Sequence, residues 1–254
     1  MINKQINRIS GTLTLPRGIA TLAAIIALIF IYLLFREVNR PDAVGGYPVH
    51  HDITATIFWI GEPADSSNDN ISNVPTAWET NAKAQFGGAD GPSSRDGNPS
   101  DVPRNANGIV TSFRPLENPY YFALPAAEYG DNGIIKGARE KSPWHEQSVG
   151  DDRSLFKGRW VRITSQGKTV YAQWLDVGPN VEDDYDYVFG DGKQKPKNTF
   201  GYKAGIDLSP ATAFTLGFKD DKRDVSWQFV DPQNVPDGPW KLYPAINNKT
   251  YWSD

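Results

Sequence analysis

Two aspartates, Asp176 and Asp207, are the side chains in this sequence best suited to acid–base chemistry. Asp176 is followed by the turn residues 177–179 (Val-Gly-Pro), and Asp207 is followed by 208–210 (Leu-Ser-Pro). Each carboxylate therefore stands where an extended run gives way to a turn or a helix. Carboxylates at the ends of neighbouring strands can share one groove, and such a pair supports acid–base cleavage of a polymer.

Each aspartate also has a purely structural interpretation. Strand alternation predicts that Asp176 shares a face with Ala172 and Trp174, at the floor of a groove. Alternatively, Asp176 accepts backbone hydrogen bonds from the Gly178-Pro179 turn, a common use of Asp. Apolar neighbours of Asp207 would raise its pKa towards that of a general acid. Alternatively, Asp207 caps the following helix or ties two loops together.

The elements that must position these residues read as an all-β domain. Strands are predicted at 53–60, 109–113, 120–124, 159–164, 169–177 and 225–230, from their β-branched and aromatic content. A tight hairpin is predicted at 166–168, and the only predicted helix after the N-terminal region is 210–216, between Ser209 and Gly217. Residues 62–108 form a long irregular stretch. This pattern predicts a compact barrel with long loops.

The N-terminal region predicts a membrane anchor. Residues 18–35 contain no charge, and as a helix they would span roughly 27 Å, close to the hydrocarbon thickness of a bilayer. Lys4, Arg8 and Arg17 precede the run, which places the N-terminus in the cytoplasm. A cleaved signal peptide is the alternative, with a small-x-small site at 43–45.

We therefore predict four segments: a cytoplasmic segment (1–17), a transmembrane signal anchor (18–35), a linker (36–50) and a periplasmic or extracellular domain (51–254).

Composition limits the partners and cofactors. The chain has no cysteine, which excludes disulfides and thiolate metal sites. Of 26 basic and 30 acidic residues, five and two precede residue 47, which leaves a net charge of −7 on the rest. Nucleic acid is a poor partner for such a surface. The run His50-His51-Asp52 offers side chains that point in opposite directions on an extended chain, so neither a metal nor another cofactor is predicted.

The order of motifs resembles a known superfamily. Asp176-Val177-Gly178-Pro179, followed by Gly205-Ile206-Asp207 and a short alanine-containing helix, is similar to the double-psi β-barrel of rare lipoprotein A and the expansins. The resemblance implies a six-stranded double-psi β-barrel with long decorated loops and one short helix. It also implies a cell-wall polysaccharide partner, foremost peptidoglycan. Asp176 matches the aspartate that rare lipoprotein A uses in peptidoglycan cleavage. Asp207 matches the acid of the His-Phe-Asp segment in expansins, family 45 endoglucanases and membrane-bound lytic transglycosylase A.

The resemblance also suggests residues that bind substrate. Thr56, Trp59 and Glu62 resemble the groove-lining residues of the first expansin strand, with one extra residue in the spacing. Trp174 and Tyr202 are candidates for stacking on sugar rings. The chain departs from the pattern at Gly205, where the related families have histidine, and in having no lipobox cysteine.

Two functions follow from these expectations. The first is an enzyme that resembles a lytic transglycosylase or glycoside hydrolase, in which Asp207 protonates the glycosidic oxygen and Asp176 holds substrate or tunes its pKa. The second is a non-catalytic module that binds polysaccharide or loosens the wall, as the expansins do.

Overall fold

The computed structural model describes residues 25–29, 46–64, 71–93, 99–150 and 152–250. The chain divides into two compact units, Met1–Pro41 and Asp42–Asp254. In the first unit the described residues, 25–29, are helical and exposed. The rest of the predicted span 18–35, the segment 1–17 and most of the linker 36–50 lie outside the described residues. Within the described residues, no helix combines the length and the apolar character needed to cross a membrane.

The second unit is built mainly from strands. They are β1 (His50–Ile57), β2 (Tyr121–Leu124), β3 (Tyr129–Gly130), β4 (Gly133–Ile134), β5 (Trp160–Ser165), β6 (Lys168–Val177), β7 (Ile206–Leu208) and β8 (Lys222–Val230). In the described ranges of this unit, three short α-helices join them: α1 (Ala82–Phe86), α2 (Tyr185–Phe189) and α3 (Pro210–Leu216). Single 3₁₀ turns occur at Pro99–Asp101, Arg139–Lys141, Pro232–Asn234 and Pro239–Lys241.

Six of the strands form a closed barrel in the order β1-β7-β2-β6-β5-β8, and β8 pairs back to β1. Two of the pairings, β1 with β7 and β2 with β6, are parallel. The others are antiparallel, including β2 with β7 at the centre of this arrangement. Strands β3 and β4 form a separate two-stranded ribbon. The all-β barrel predicted from the sequence is thus confirmed.

Two local predictions are confirmed by backbone geometry. Gln166 and Gly167 connect β5 to β6 with φ angles of 48° and 78°. Positive φ at both central residues is what a two-residue turn between twisted strands requires. Helix α3 begins at the predicted cap, where the Ser209 side chain accepts from the backbone N–H of Thr212. It ends at Gly217, which adopts a left-handed conformation.

The barrel interior is filled mainly by aromatic and branched side chains on alternate positions of each strand. Trp174 lies at its centre and has no exposed surface. Its ring stacks on Phe156 at 5.4 Å between centroids and meets Trp78 edge-on at 5.9 Å. Such ring pairs contribute about 0.5–1.5 kcal/mol each beyond the burial of their area.

A second, smaller cluster packs on the outside of β2 and β6. Tyr121, Ala123 and Leu175 contribute to it from the barrel, while Ile60 and Phe86 come from the long segment after β1. The segment predicted to be irregular is therefore partly folded onto the barrel wall. This packing matters because it covers β6, which carries Asp176, and β2, its neighbour in the sheet.

The observed elements differ from the predicted ones at several places. Residues 109–113 form no strand, and Val110 makes only an isolated bridge with Arg104. Strand β7 was not predicted, because three residues are too few to show an alternating pattern. Helices α1 and α2 were also missed, since each has only five residues.

Candidate functional site

Thr56, Asp207, Ala123 and Asp176 lie side by side across four neighbouring strands. Thr56 is in register with Asp207, which is in register with Ala123. Ala123 is in turn in register with Asp176. Pairing therefore brings together two carboxylates that are distant in sequence. This row lies on the outer face of the barrel, because the flanking residues of β7 belong to the interior core.

A β-bulge in β6 puts Asp176 on this outer face. Phe122 is in register with Trp174, but the next residue, Ala123, is in register with Asp176, so Leu175 is the extra residue. Such an insertion reverses the alternation and re-aims the side chain. The prediction that Asp176 shares a face with Ala172 and Trp174 is therefore wrong. Those two side chains belong to the interior core.

The two aspartates are close enough to interact. They are two strand positions apart, which corresponds to roughly 10 Å between Cα atoms at the usual strand spacing. Gly178, two residues after Asp176, also faces the second carboxylate, because a Cβ at this position would lie 4.0 Å from Oδ2 of Asp207. The negative charge of Asp207 is one of the causes that raise the pKa of Asp176.

Asp176 combines burial with two hydrogen bonds to one of its oxygens. Its side chain Oδ1 accepts from the backbone N–H of Ala77 at 2.7 Å and from that of Val177 at 2.8 Å. Only 6% of the residue is exposed. Burial raises the pKa of Asp176 to about 7; the two hydrogen bonds lower the pKa, while the charges of Asp207 and Glu182 raise it. Asp176 therefore exchanges a proton near neutral pH.

The hydrogen bonds of Asp176 differ from those of the predicted turn. The expected donor was the turn at Gly178-Pro179, but the local donor is Val177 and the other is Ala77, far away in sequence. The segment after β1 thus contributes a donor to a carboxylate on β6. Within the described part of the chain, Oδ2 of Asp176 accepts no hydrogen bond.

Asp207 is half-buried on β7 and is held by a neighbouring hydroxyl. Thr56 Oγ1 donates a hydrogen bond to Oδ1 of Asp207 across the parallel pair. The alternative that Asp207 caps the following helix is wrong, because the cap is Ser209. Asp207 is in register with Thr56 of β1 on one side and with Ala123 of β2 on the other.

Both aspartates line one open cavity of about 740 Å³. Its wall also includes the predicted residues Thr56, Trp59, Glu62 and Tyr202. Six of the seven predicted site residues therefore border the same cavity. The exception is Trp174.

Trp174 is a core residue and offers no surface to a ligand. It is fully buried, and its indole Nε1 donates to the backbone oxygen of Asp176 at 2.7 Å. The prediction that Trp174 stacks on a sugar is thus wrong. Its contribution to the site is to hold the backbone of Asp176.

Trp59 and Glu62 border the cavity but are firmly packed. Trp59 is 2% exposed, and its ring lies where a side chain on Gly91 would be. Glu62 Oε2 accepts from the backbone N–H of Trp59 at 3.3 Å and from Nδ2 of Asn73 at 2.8 Å. Trp59 therefore has no free ring face for a sugar, whereas Tyr202 is 47% exposed.

Phe200 and Phe214 are exposed aromatic residues of the cavity that were not predicted from the sequence. They are 41% and 52% exposed and lie on the cavity wall. The signal for Phe214 was present: it falls between the buried positions Ala213 and Leu216 of α3, so a large aromatic there faces outward. No comparable signal marks Phe200.

No obvious metal site occurs in the described ranges, where no group of three His, Cys, Asp or Glu side chains is placed to hold an ion. His50 is buried and stacks on Trp227 at 3.9 Å between ring centroids. His145 is exposed, and its Nδ1 lies 3.0 Å from the backbone oxygen of Ser142. Neither histidine lines the cavity.

Comparison with known protein-family models and with curated proteins finds no match to this chain.

Proposed function

We propose that this protein cleaves cell-wall glycan strands, foremost peptidoglycan, from a membrane anchor at residues 18–35. One observation carries the proposal: two aspartates border one cavity, and one of them has a pKa of about 7. A general acid is most effective when its pKa lies near the working pH. The domain would face the periplasm or the cell exterior.

Asp176 suits the role of general acid better than Asp207, which reverses the assignment expected from the sequence. At neutral pH a substantial fraction of Asp176 carries a proton, and Oδ2 is the oxygen without a hydrogen bond in the described part. Asp176 would protonate the glycosidic oxygen as the bond to the anomeric carbon breaks. A hydroxyl of the same sugar would then attack that carbon, and Asp207 would accept its proton.

The barrel topology supports a double-psi arrangement. Each half of the barrel contributes one parallel pair, β1 with β7 and β2 with β6. The inner strands of these pairs, β7 and β2, run antiparallel to each other. Strand β7 carries Asp207, and β2 carries Ala123, which is in register with both aspartates. The placement of Asp207 beside Thr56 agrees with the resemblance to the first expansin strand.

The test of cleavage is muropeptide release from purified sacculi by the full-length protein in mild detergent. Wild-type protein should release soluble fragments. Asp176→Asn and Asp207→Asn should each reduce the rate by at least about 100-fold, the usual contribution of an acid–base group. Asp131→Asn, in an exposed loop, is the matched control and should keep the wild-type rate. Equal release by all four proteins would end the proposal.

A non-catalytic glycan-binding module remains the second candidate. The backbone hydrogen bonds to Asp176 and the exposed aromatic residues of the cavity favour it. This function predicts that the protein sediments with insoluble peptidoglycan or cellulose and releases no product. Product release that depends on Asp176 would exclude it.

A further inference from the structure

The exposed aromatic side chains in the described part of the chain are concentrated at one place. Among the described residues, three Phe, Tyr or Trp side chains are exposed: Phe200 at 41%, Tyr202 at 47% and Phe214 at 52%. All three line the cavity that contains the two aspartates. By contrast, all seven described tryptophans are buried. This fold buries most of its large rings, so exposure of three rings at a single cavity is a distinct feature of that cavity.

The three rings flank the strand that carries Asp207. Phe200 and Tyr202 belong to the loop before β7, and Phe214 lies on α3, which follows it. The three rings and the two aspartates therefore border the same cavity. We call Phe200, Tyr202 and Phe214 the aromatic rim.

Two of the rim residues are held in fixed positions. The Tyr202 hydroxyl donates to Oδ2 of Asp221 at 2.8 Å, and Nζ of Lys222 lies 3.9 Å from the centre of its ring. Phe214 packs against Gly108, because a Cβ added to Gly108 would lie 2.5 Å from the Cβ of Phe214. Rigid aromatic rings bind with a small loss of conformational entropy.

The charges of the cavity limit what can lie there. Among the described residues, its wall contains five carboxylates, Glu62, Asp176, Asp207, Asp220 and Asp221, and two basic residues, Arg104 and Lys219. Arg104 is itself paired with Asp90 at 2.9 Å. An anionic polymer would be repelled, whereas the apolar face of an uncharged pyranose can stack on the rings.

We propose that the aromatic rim is a sugar-binding subsite that takes an uncharged stretch of glycan and leads it to Asp176 and Asp207. The inference rests on the proposed function for the nature of the ligand. It does not depend on cleavage, because stacking precedes any proton transfer. Loss of a rim residue should therefore weaken binding and raise KM, with little change in kcat.

The test measures sedimentation of full-length protein with insoluble peptidoglycan. An Asp176→Asn/Asp207→Asn background prevents cleavage during the measurement. Adding Tyr202→Ala and Phe214→Ala together should weaken binding by about 10-fold or more, since each ring stack contributes about 0.5–1.5 kcal/mol beyond its area. Tyr202→Phe should keep most of the binding. Leu242→Ala, exposed at 68% and outside the cavity, is the control and should bind normally.

The outcomes separate this inference from the cleavage proposal. Rim-dependent binding without product release by wild-type protein would support the subsite and end the cleavage proposal. Product release with unchanged binding and KM in the rim variants would support the cleavage proposal and overturn the subsite. Equal binding to polygalacturonate, an anionic glycan, would overturn the charge argument and with it the subsite as described.

Discussion

Replacing Asp176 by asparagine should make the protein more stable above neutral pH, although it removes a proposed catalytic group. The pKa of Asp176 is raised by burial from 3.8 to about 7. Between these values the folded state holds a proton that the unfolded state has already lost. The free energy of unfolding therefore falls as pH rises through this window. Above pH 7 the folded protein bears the full cost of a buried charge.

The magnitude follows from the same values. At about 1.4 kcal/mol per pKa unit, a rise from 3.8 to about 7 corresponds to about 4 kcal/mol at pH 8. Asparagine keeps the shape, and its Oδ1 can still accept from the N–H groups of Ala77 and Val177. The gain should raise Tm by roughly 10 °C, at 2–4 °C per kcal/mol for a domain of this size. At pH 4 the two proteins should differ by less than about 1 kcal/mol.

Thermal unfolding followed by circular dichroism, at pH values from 4 to 8, measures this difference. The full-length protein in mild detergent and the Asp131→Asn control should behave alike throughout. A gain from Asp176→Asn that grows from pH 4 to pH 8 is the expected result. If the variant were less stable at pH 8, or if its effect did not change with pH, the burial argument for Asp176 would be wrong.

Three further predictions concern neighbouring groups. Burial lowers the pKa of His50 to about 3, so this side chain opposes folding as pH falls below 6.5. His50→Phe should therefore reduce the loss of Tm between pH 7 and pH 4, and an unchanged loss would contradict the neutral, buried state of His50. Thr56→Val removes the hydroxyl that donates to Asp207 and should lower the cleavage rate about 10-fold or more, whereas Thr56→Ser should keep the wild-type rate. Equal rates for the two variants would show that this hydrogen bond is not needed. Trp174→Phe should lower stability by about 1–3 kcal/mol in urea unfolding and leave glycan binding unchanged; weaker binding with normal stability would contradict its placement in the core.

The sequence was sufficient for features that depend on local chemistry. The hairpin at Gln166-Gly167 and the Ser209 cap of α3 follow from conformational preferences of the residues themselves. The sequence also predicted that Asp176 and Asp207 share one groove, because each stands near a predicted strand end and the order of their motifs resembles that of a known superfamily. Their common cavity is a consequence of pairing to Ala123 from either side.

The remaining features depend on contacts that no local pattern encodes. The bulge at Leu175 reverses the faces of β6, so simple alternation misplaced Asp176 relative to Trp174. The donor at Ala77 comes from a distant segment, and without it the hydrogen bonding of Asp176 could not be predicted. Composition also gave no means to separate buried tryptophans from exposed rings such as Tyr202, because aromatics serve both purposes.

The most direct test of the account is the titration of the Asp176 carboxyl carbon by NMR in the full-length protein. The account predicts an apparent pKa near 7. It also predicts a lower value in Asp207→Asn, because the charge of Asp207 raises the pKa of Asp176. A value near 3.8 in the wild-type protein, or no change on replacing Asp207, would contradict the claim that these two carboxylates form one proton-exchanging site.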